Sequence, residues 1–183
     1  MAKARKMSIM IRNLVELSSH SLSSKDSVLR HVAQDVEAFD KDLITLINDL
    51  TETMNHHHIA VGLAAPQIGV SLRVAIINPD KTRETPPTVI INPTDVEFSG
   101  KKDTKKESCM SVPNLRGDVE RRSKVTFKYQ DIHGESHSLR AEGFLARIFA
   151  HEIDHLNGFL YVDRMAATAK LEETDLWKED NRH

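Results

Sequence analysis

The stretch IFAHEIDHLNGFLY, residues 148–161, places two histidines and a glutamate inside an otherwise apolar helical pattern. A helix turns by about 100° per residue, so residues three or four positions apart share a face. On such a wheel Glu152 falls within the apolar arc, and His151 and His155 lie beside each other at its border. The arc itself contains Leu145, Ile148, Phe149, Ile153 and Leu156.

The same wheel places two charged residues, Arg147 and Asp154, on the side away from the apolar arc. Helical periodicity begins at Glu142 and stops at Asn157, where the following Gly158 is a typical C-terminal signal. The pattern therefore predicts a central helix over residues 142–157 with one buried face.

The HExxH spacing predicts a metal site on this helix. His151 and His155 are four residues apart, so their imidazoles project side by side from consecutive turns and can bind one ion. A carboxylate in apolar surroundings costs several kcal/mol unless something compensates it, and a divalent metal would compensate Glu152. We expect Glu152 to reach a water on the metal. The alternative is a helix with two hydrogen-bonded histidines and a surface glutamate.

Two histidines leave a catalytic site of the zinc type one protein ligand short. Downstream candidates are Asp163, Glu172, Glu173 and Asp175, none of them in a recognisable motif. Upstream, Cys109 lies in ESCMSVP, and as a thiolate it would suit iron(II), zinc or cobalt but not magnesium or calcium. The alternative for a lone cysteine is a small buried apolar residue.

Three segments in order, GLAAPQ (62–67), ESCMS (107–111) and HEIDHLNG (151–158), resemble the signature motifs of the peptide deformylases. The resemblance implies an α+β fold in which antiparallel sheets pack around a central helix carrying HExxH. The residue pattern at the end of the chain adds a C-terminal helix to this expected fold. It also implies hydrolysis of the formyl group from the N-terminal formylmethionine of new polypeptides, which releases formate. Iron(II) is the metal implied in the cell, and zinc, nickel or cobalt could replace it in the purified protein.

The resemblance assigns roles to the residues of the three motifs. Cys109, His151 and His155 would bind the metal, and Glu152 would move protons between water and the departing amine. The side-chain amide of Gln67 and the backbone N–H of Met110 would stabilise the oxyanion formed on the formyl group. For these last two residues the alternatives are a polar loop residue without a task and simple core packing.

Further residues are candidates for substrate binding by the same resemblance. Backbone groups of Val61, Gly62 and Ser108 would pair with an extended peptide, as an added strand does. Phe144 and Ile148 would line an apolar pocket for the methionine side chain, although both could equally be ordinary core residues.

Three more positions are expected to support the metal ligands. An ion pair between Glu107 and Arg116 would brace the cysteine loop, and Asp154 would orient a neighbouring group, unless these residues form surface salt bridges. The chain departs from the family pattern at Ala60, where the first motif usually begins with glycine. If that position requires a positive φ, alanine costs on the order of 1 kcal/mol or shifts the loop.

Composition and length favour one ordinary globular domain over residues 1–183, with a poorly defined segment at 1–25. The formal net charge of −2 gives no basis for sequence-specific nucleic-acid binding, and no apolar run approaches the roughly 20 residues that cross a membrane. One cysteine excludes an intrachain disulfide and favours a reducing compartment. We expect a monomer in the bacterial cytoplasm, acting close to the ribosome on nascent chains, with an organelle as the alternative setting.

The remaining pattern predicts a second helix over residues 42–55, a charged loop over residues 100–106 and a polar surface helix from Asp163 to about Lys178. Strands are predicted at 72–78, 88–92, 124–130 and shortly after Gly134. Two competing functions stay open at this point: a zincin-like endopeptidase with a downstream third ligand, and a non-catalytic module held together by a structural metal.

Overall fold

The computed structural model describes residues 9–80 and 82–176. It contains an antiparallel sheet in the order β1-β2-β3-β4-β5, with β6 added to β4, and two α-helices. The helices are α1 (Lys41–His56) and α2 (Gly143–Leu156). The strands are β1 (Gly62–Ala64), β2 (Val74–Ile77), β3 (Thr88–Cys109), β4 (Val112–Gln130), β5 (Ser136–Glu142) and β6 (Glu172–Glu173). The predicted α+β class is confirmed.

Strand β2 is buried on both faces because a helix covers each of them. Its even-numbered residues, Val74 and Ile76, pack in a cluster with α1, and its odd-numbered residues, Ala75 and Ile77, pack in a cluster with α2. Successive side chains of a strand point to opposite faces, so a continuous apolar run is what a doubly covered strand needs. The sheet thus holds α2 on the face opposite α1.

Helix α1 confirms the predicted helix at 42–55. It begins after Asp40, whose carboxylate accepts hydrogen bonds from the backbone N–H groups of Asp42 and Leu43, and this satisfies two donors that the first turn leaves unpaired. Its buried face carries Leu43, Leu46, Ile47, Leu50 and Met54.

Helix α2 confirms the predicted central helix, but its buried residues differ from those predicted by the helical wheel. Arg147 and Asp154, placed on the far side by the sequence, are 8% and 5% exposed, whereas Leu145 is 36% exposed. The polar side of α2 packs against β4, and Arg164 from the segment after the helix also reaches Asp154. Polar side chains on that side are therefore covered and must find partners. Gly158 has a φ of +77° beyond the helix end, and a Cβ there would lie 3.0 Å from the backbone of Arg30.

The predicted charged loop at 100–106 is wrong, because these residues belong to the long strand β3. Residues 99–109 form a ribbon with β4 in which exposed charges pair across the strands, for example Lys102 with Glu120 at 2.6 Å. The ribbon closes through the two residues Met110 and Ser111, since Cys109 is paired with Val112. The ribbon therefore delivers Cys109 to the interior at its closed end.

The helix predicted from Asp163 is not formed over residues 165–175. A short 3-10 helix at Tyr161–Arg164 is followed by β6, which pairs with β4 at Leu115 and Arg116. An exposed acidic residue of this segment binds the ribbon, because Glu172 pairs with Lys106 and Arg116. Residues 177 and 178 of the predicted helix lie outside the described residues.

The beginning of the chain contains no helix or strand between residues 9 and 26, but specific bonds hold it in place. The N–H groups of Val15 and Leu17 donate to the carbonyls of Gln67 and Ser111, each at 2.8 Å. Residues 1–8 of the expected N-terminal segment lie outside the described residues. Neither helix in the described part of the chain has the length and apolar character needed to cross a lipid bilayer.

Candidate metal centre

Three side chains converge between the closed end of the β3–β4 ribbon and helix α2. One ligand atom from each of Cys109, His151 and His155 lies within 4.8 Å of the other two. The sulfur of Cys109 is 3.3 Å from Nε2 of His155, and the two imidazole rings are 5.0 Å apart between centroids. One sulfur and two imidazole nitrogens converging on one point fit a divalent transition metal with a position left open for a further ligand.

Glu152 lies beside this cluster and is 4% exposed, so it is not the surface glutamate of the alternative interpretation. Its Oε2 has no hydrogen-bond partner among the described residues. Burial raises the pKa of Glu152 from 4.5 to about 7, against the opposing charges of His151 and Arg121. A carboxyl group with a pKa near neutrality can both accept and return a proton.

Space for this carboxylate comes from a glycine on the neighbouring strand. A Cβ on Gly62 would lie 2.5 Å from Oε1 of Glu152, a distance that side-chain atoms cannot adopt. Strand β1 can therefore approach α2 at this point only without a side chain.

The amide of Gln67 is fixed beside the sulfur. Gln67 lies in a short 3-10 helix at Ala65–Ile68, and its Oε1 accepts a hydrogen bond from the N–H of Ala64 at 2.9 Å. Its Nε2 consequently points towards Cys109 Sγ at 3.5 Å and Ser111 Oγ at 3.3 Å. The Met110 side chain packs in the α1 cluster, and its backbone follows Cys109 directly.

A buried carboxylate, Glu107, orients His151 from behind. Its Oε2 lies 3.1 Å from Nδ1 of His151, and it accepts two hydrogen bonds from Arg121, at 2.6 and 2.9 Å, and one from Arg147 at 2.7 Å. Burial acts to raise the pKa of Glu107, but the hydrogen bonds from His151 and Arg121 hold it well below its ordinary value. The other imidazole nitrogen of His151 is thereby directed to the cluster.

The predicted ion pair between Glu107 and Arg116 is wrong. Nε of Arg116 lies 3.3 Å from Glu172 in β6, and Arg121 takes its place beside Glu107. Arg121 lies five residues further along the chain than the predicted partner, Arg116. Its signal was the period-two pattern of β4, in which Val119, Arg121 and Val125 all occupy buried positions.

Asp154 continues this network on the next turn of α2. It accepts from Arg121 at 2.9 Å and from Arg164 at 2.6 Å. The Asp154–Arg121–Glu107 chain ends on His151, so two side chains connect Asp154 to this histidine. The charge on Arg121 is compensated on both sides: burial acts to lower its pKa, but the two carboxylates raise it.

A cavity of about 200 Å³ opens onto Cys109, His151 and Glu152. The five residues expected to bind substrate all line it: Val61, Gly62, Ser108, Phe144 and Ile148. Ile148 is 4% exposed and Phe144 is 59% exposed, so only Ile148 has the burial of a core residue. Three further lining residues, Ile59, Lys106 and Leu176, carried no sequence signal, because they come from segments outside the motifs.

Two other places in the described residues lack this chemistry. A larger groove of about 1200 Å³ beside α1 has no histidine or cysteine among its lining residues. Asp131, Glu135 and His137 also lie within 4.8 Å of one another, but they are near the surface, and His137 is already paired with Asp131 at 2.8 Å.

Ala60 fits its position without backbone strain. It is not among the described non-glycine residues with a positive φ, and its side chain is buried. Alanine in place of the usual glycine therefore causes no strain from a left-handed backbone conformation in this chain.

A family model and individual relatives of this chain point to the same protein family. The polypeptide deformylase family model matches residues 20–171. A peptide deformylase of Halothermothrix orenii is 46% identical over 140 residues, which are 76% of this chain and 88% of the relative.

Two crystal structures show the same likeness. A peptide deformylase from Legionella pneumophila has a TM-score of 0.76 and 41% identity, covering 86% of this chain and 88% of that chain. The Met-Ala-Ser-bound class I type b peptide deformylase from Acinetobacter baumannii has a TM-score of 0.74 and 35% identity, covering 86% of this chain and 100% of that chain. Since the family model spans most of the sequence and these relatives align over most of both chains, the chain belongs to the polypeptide deformylase family.

Proposed function

We propose that this chain uses a divalent metal to hydrolyse the formyl amide of N-terminal formylmethionine, releasing formate and a free amine. One observation carries the proposal: in a member of the deformylase family, a cysteine and two histidines converge beside a buried glutamate at the end of an open cavity. This is the arrangement that hydrolysis of an unreactive amide requires, with an ion, a proton carrier and room for substrate.

Cys109, His151 and His155 would hold the ion. A thiolate with two imidazoles suits iron(II), which we propose as the metal in the cell, and zinc, nickel or cobalt would fit the same donors. When bound, such an ion lowers the pKa of a ligated water and polarises the formyl oxygen.

Glu152 is the proton carrier of the proposal. Its unpartnered Oε2 can accept the proton of the attacking water and later deliver a proton to the amine nitrogen. Burial raises the proton affinity of Glu152 and so favours the first transfer, whereas a nearby cation would keep the carboxylate ionised before that transfer and favour release of the proton in the second.

Gln67 and Met110 would stabilise negative charge on the formyl oxygen. The Gln67 amide cannot rotate freely, because the Ala64 N–H occupies its oxygen and leaves Nε2 as the group facing Cys109. The backbone N–H of Met110 would supply the second donor. A donor fixed before the reaction costs no reorganisation when charge develops.

Strand β1 provides a place for the peptide. It is the first strand in the sheet order and pairs with β2 on one side, where the carbonyl of Val61, just before the strand, accepts from the N–H of Asn78 at 2.9 Å. The backbone groups of the next residue, Gly62, face the other side and can bind an extended chain that passes beside Val61. Ser108 lies across the cavity, and Phe144 and Ile148 would contact the methionine side chain. The Acinetobacter baumannii neighbour bound to Met-Ala-Ser supports a peptide of this length as ligand.

The two competing functions are not favoured. An endopeptidase with a downstream ligand would need an acidic residue near the histidines, but Asp163 pairs with Arg30 and Glu172 pairs with Lys106 and Arg116. A structural site needs four protein ligands, and the cluster found among the described residues has three.

The biological setting is part of the proposal. We place a single-domain monomer in the bacterial cytoplasm close to the ribosome, where formylated nascent chains emerge, with an organelle as the alternative setting. It would act without membrane attachment and without sequence-specific contact to nucleic acid.

Formate release from formyl-Met-Ala-Ser by iron-loaded protein purified without air tests the proposal, with metal content measured on the same sample. Cys109→Ala should lose both metal and activity, and Glu152→Ala should keep the metal and lose activity. His137→Ala, which removes an exposed histidine outside the centre, is the matched control and should resemble the wild type. Full activity in Glu152→Ala would refute the mechanism.

A further inference from the structure

The end of the described chain reaches the rim of the cavity. The C-terminal arm, residues 171–176, pairs with β4 through β6, and the N–H of Thr174 donates to the carbonyl of Asn114 at 2.9 Å. Leu176, at the end of the arm, lines the same cavity as Cys109 and Glu152. The arm therefore contributes a wall to the active site although it lies outside all three sequence motifs.

A charged contact attaches the arm on the cavity side. Glu172 lies between Lys106 Nζ at 2.5 Å and Arg116 Nε at 3.3 Å. The hydrogen bond from Lys106 lowers the pKa of Glu172, so the carboxylate stays ionised at neutral pH. The attachment thus combines backbone pairing, which fixes register, with a carboxylate shared by two cations of the ribbon.

The rim that the arm completes is apolar. Ile59, Phe144 and Leu176 are 37%, 59% and 46% exposed, and they come from three separate segments that meet at the cavity. Lys106 also lines the cavity, but Glu172 and Asp118 engage its ammonium group. An exposed cluster of large apolar side chains at the mouth of a site favours an apolar ligand group.

We propose that the C-terminal arm determines substrate preference, with Leu176 contacting the side chains that follow the formylated methionine. The inference rests on the proposed function, because the formyl group must lie at Glu152 and Cys109 for the next residues to reach the rim. The apolar rim then favours peptides with a large apolar side chain at the second or third position over peptides with alanine and serine there.

The test compares kcat/KM for formyl-Met-Ala-Ser, formyl-Met-Leu-Ser and formyl-Met-Ala-Leu. A leucine side chain of the peptide would be buried against the partly exposed Leu176. We therefore expect kcat/KM of the wild type to be about five-fold higher for at least one leucine peptide than for formyl-Met-Ala-Ser. Leu176→Ala should reduce that preference to within about two-fold of unity, and Leu176→Glu should abolish or reverse it. Leu171→Ala removes a leucine of similar exposure from the same arm but outside the cavity, and should keep the preference.

A second pair of variants tests the attachment of the arm. Glu172→Lys places a third cation beside Lys106 and Arg116 and should lose the leucine preference as Leu176→Ala does. Glu173→Lys introduces the same charge at the neighbouring exposed position and should retain it.

The outcomes separate the two proposals. Absence of formate from the wild type with every peptide would overturn the proposed function and this inference with it. Formate release with no leucine preference, or with a preference that Leu176→Ala and Leu176→Glu leave unchanged, would overturn this inference alone.

Discussion

Replacement of Glu152 by glutamine should make the protein more stable at high pH while abolishing hydrolysis. Glutamine has the same shape as the carboxylate and carries no charge, so it removes the cost of ionising a buried acid without leaving a cavity. The pKa of Glu152 is raised by burial from 4.5 to about 7. Because one pKa unit corresponds to about 1.36 kcal/mol, the ionised form costs the folded protein roughly 3 kcal/mol.

The pH range follows from these two values. A carboxyl group whose pKa is higher in the folded state stabilises the fold fully below the unfolded pKa, and that stability is lost as the pH rises from 4.5 through about 7. Relative to the wild type, Glu152→Gln should therefore gain about 1 kcal/mol near pH 5 and about 3 kcal/mol near pH 8.5.

The assay is urea unfolding at both pH values after removal of metal with a chelator, because a bound cation would itself stabilise the ionised carboxylate. The matched control is Glu142→Gln, at the exposed start of the same helix, where the hydrogen bond from Lys124 lowers the pKa of the carboxyl group. That variant should show no gain at high pH. A difference between Glu152→Gln and the wild type that stays within about 0.5 kcal/mol at both pH values would refute the reasoning on burial.

Three further substitutions test other parts of the site. Gln67→Leu should lower kcat about 10²- to 10³-fold with metal content unchanged, because it removes a fixed donor to the oxyanion. A loss of kcat of less than ten-fold would exclude that role for Gln67. Gly62→Ala should displace the Glu152 carboxylate, since the new Cβ would lie 2.5 Å from Oε1. Formate release should therefore fall at least ten-fold, whereas unchanged activity would show that β1 moves freely. Arg121→Met leaves two buried carboxylates without their shared cation and should lower the free energy of unfolding in urea by about 3–5 kcal/mol. The control Arg122→Met, at the next and exposed position, should change that free energy by less than about 0.5 kcal/mol.

The two histidines and the glutamate of the candidate site were predictable from local patterns. The spacing of His151 and His155 on one helix is a property of four consecutive peptide units, and the helix boundaries at 142–157 followed from periodicity and an Asn-Gly end signal. The position of Glu152 on the apolar arc likewise anticipated its burial. Cys109 required the family resemblance, because no helix or strand period relates a residue on β3 to one on α2.

The network behind the ligands was not predictable in the same way. The predicted partner of Glu107 was Arg116, the first arginine after the cysteine motif, whereas the structure pairs Glu107 with Arg121. In an antiparallel ribbon, residues directly opposite each other share a face, and successive residues alternate between faces. Glu107 lies opposite Gly117, so Arg121, four residues further along β4, is on the same face as Glu107, whereas Arg116 lies opposite Ser108 on the other face. A shift of one residue would direct a different side chain to the interior.

Sequence alone was sufficient for the helix that carries HExxH, for the α+β class and for the two histidine donors, because each depends on residue patterns within single helices and strands. The tertiary structure decided what covers the polar side of α2, which arginine neutralises Glu107, and where the C-terminal arm lies against the cavity. These features depend on contacts between segments far apart in the chain, and periodicity describes which face of an element is apolar but not which distant segment packs against the other face.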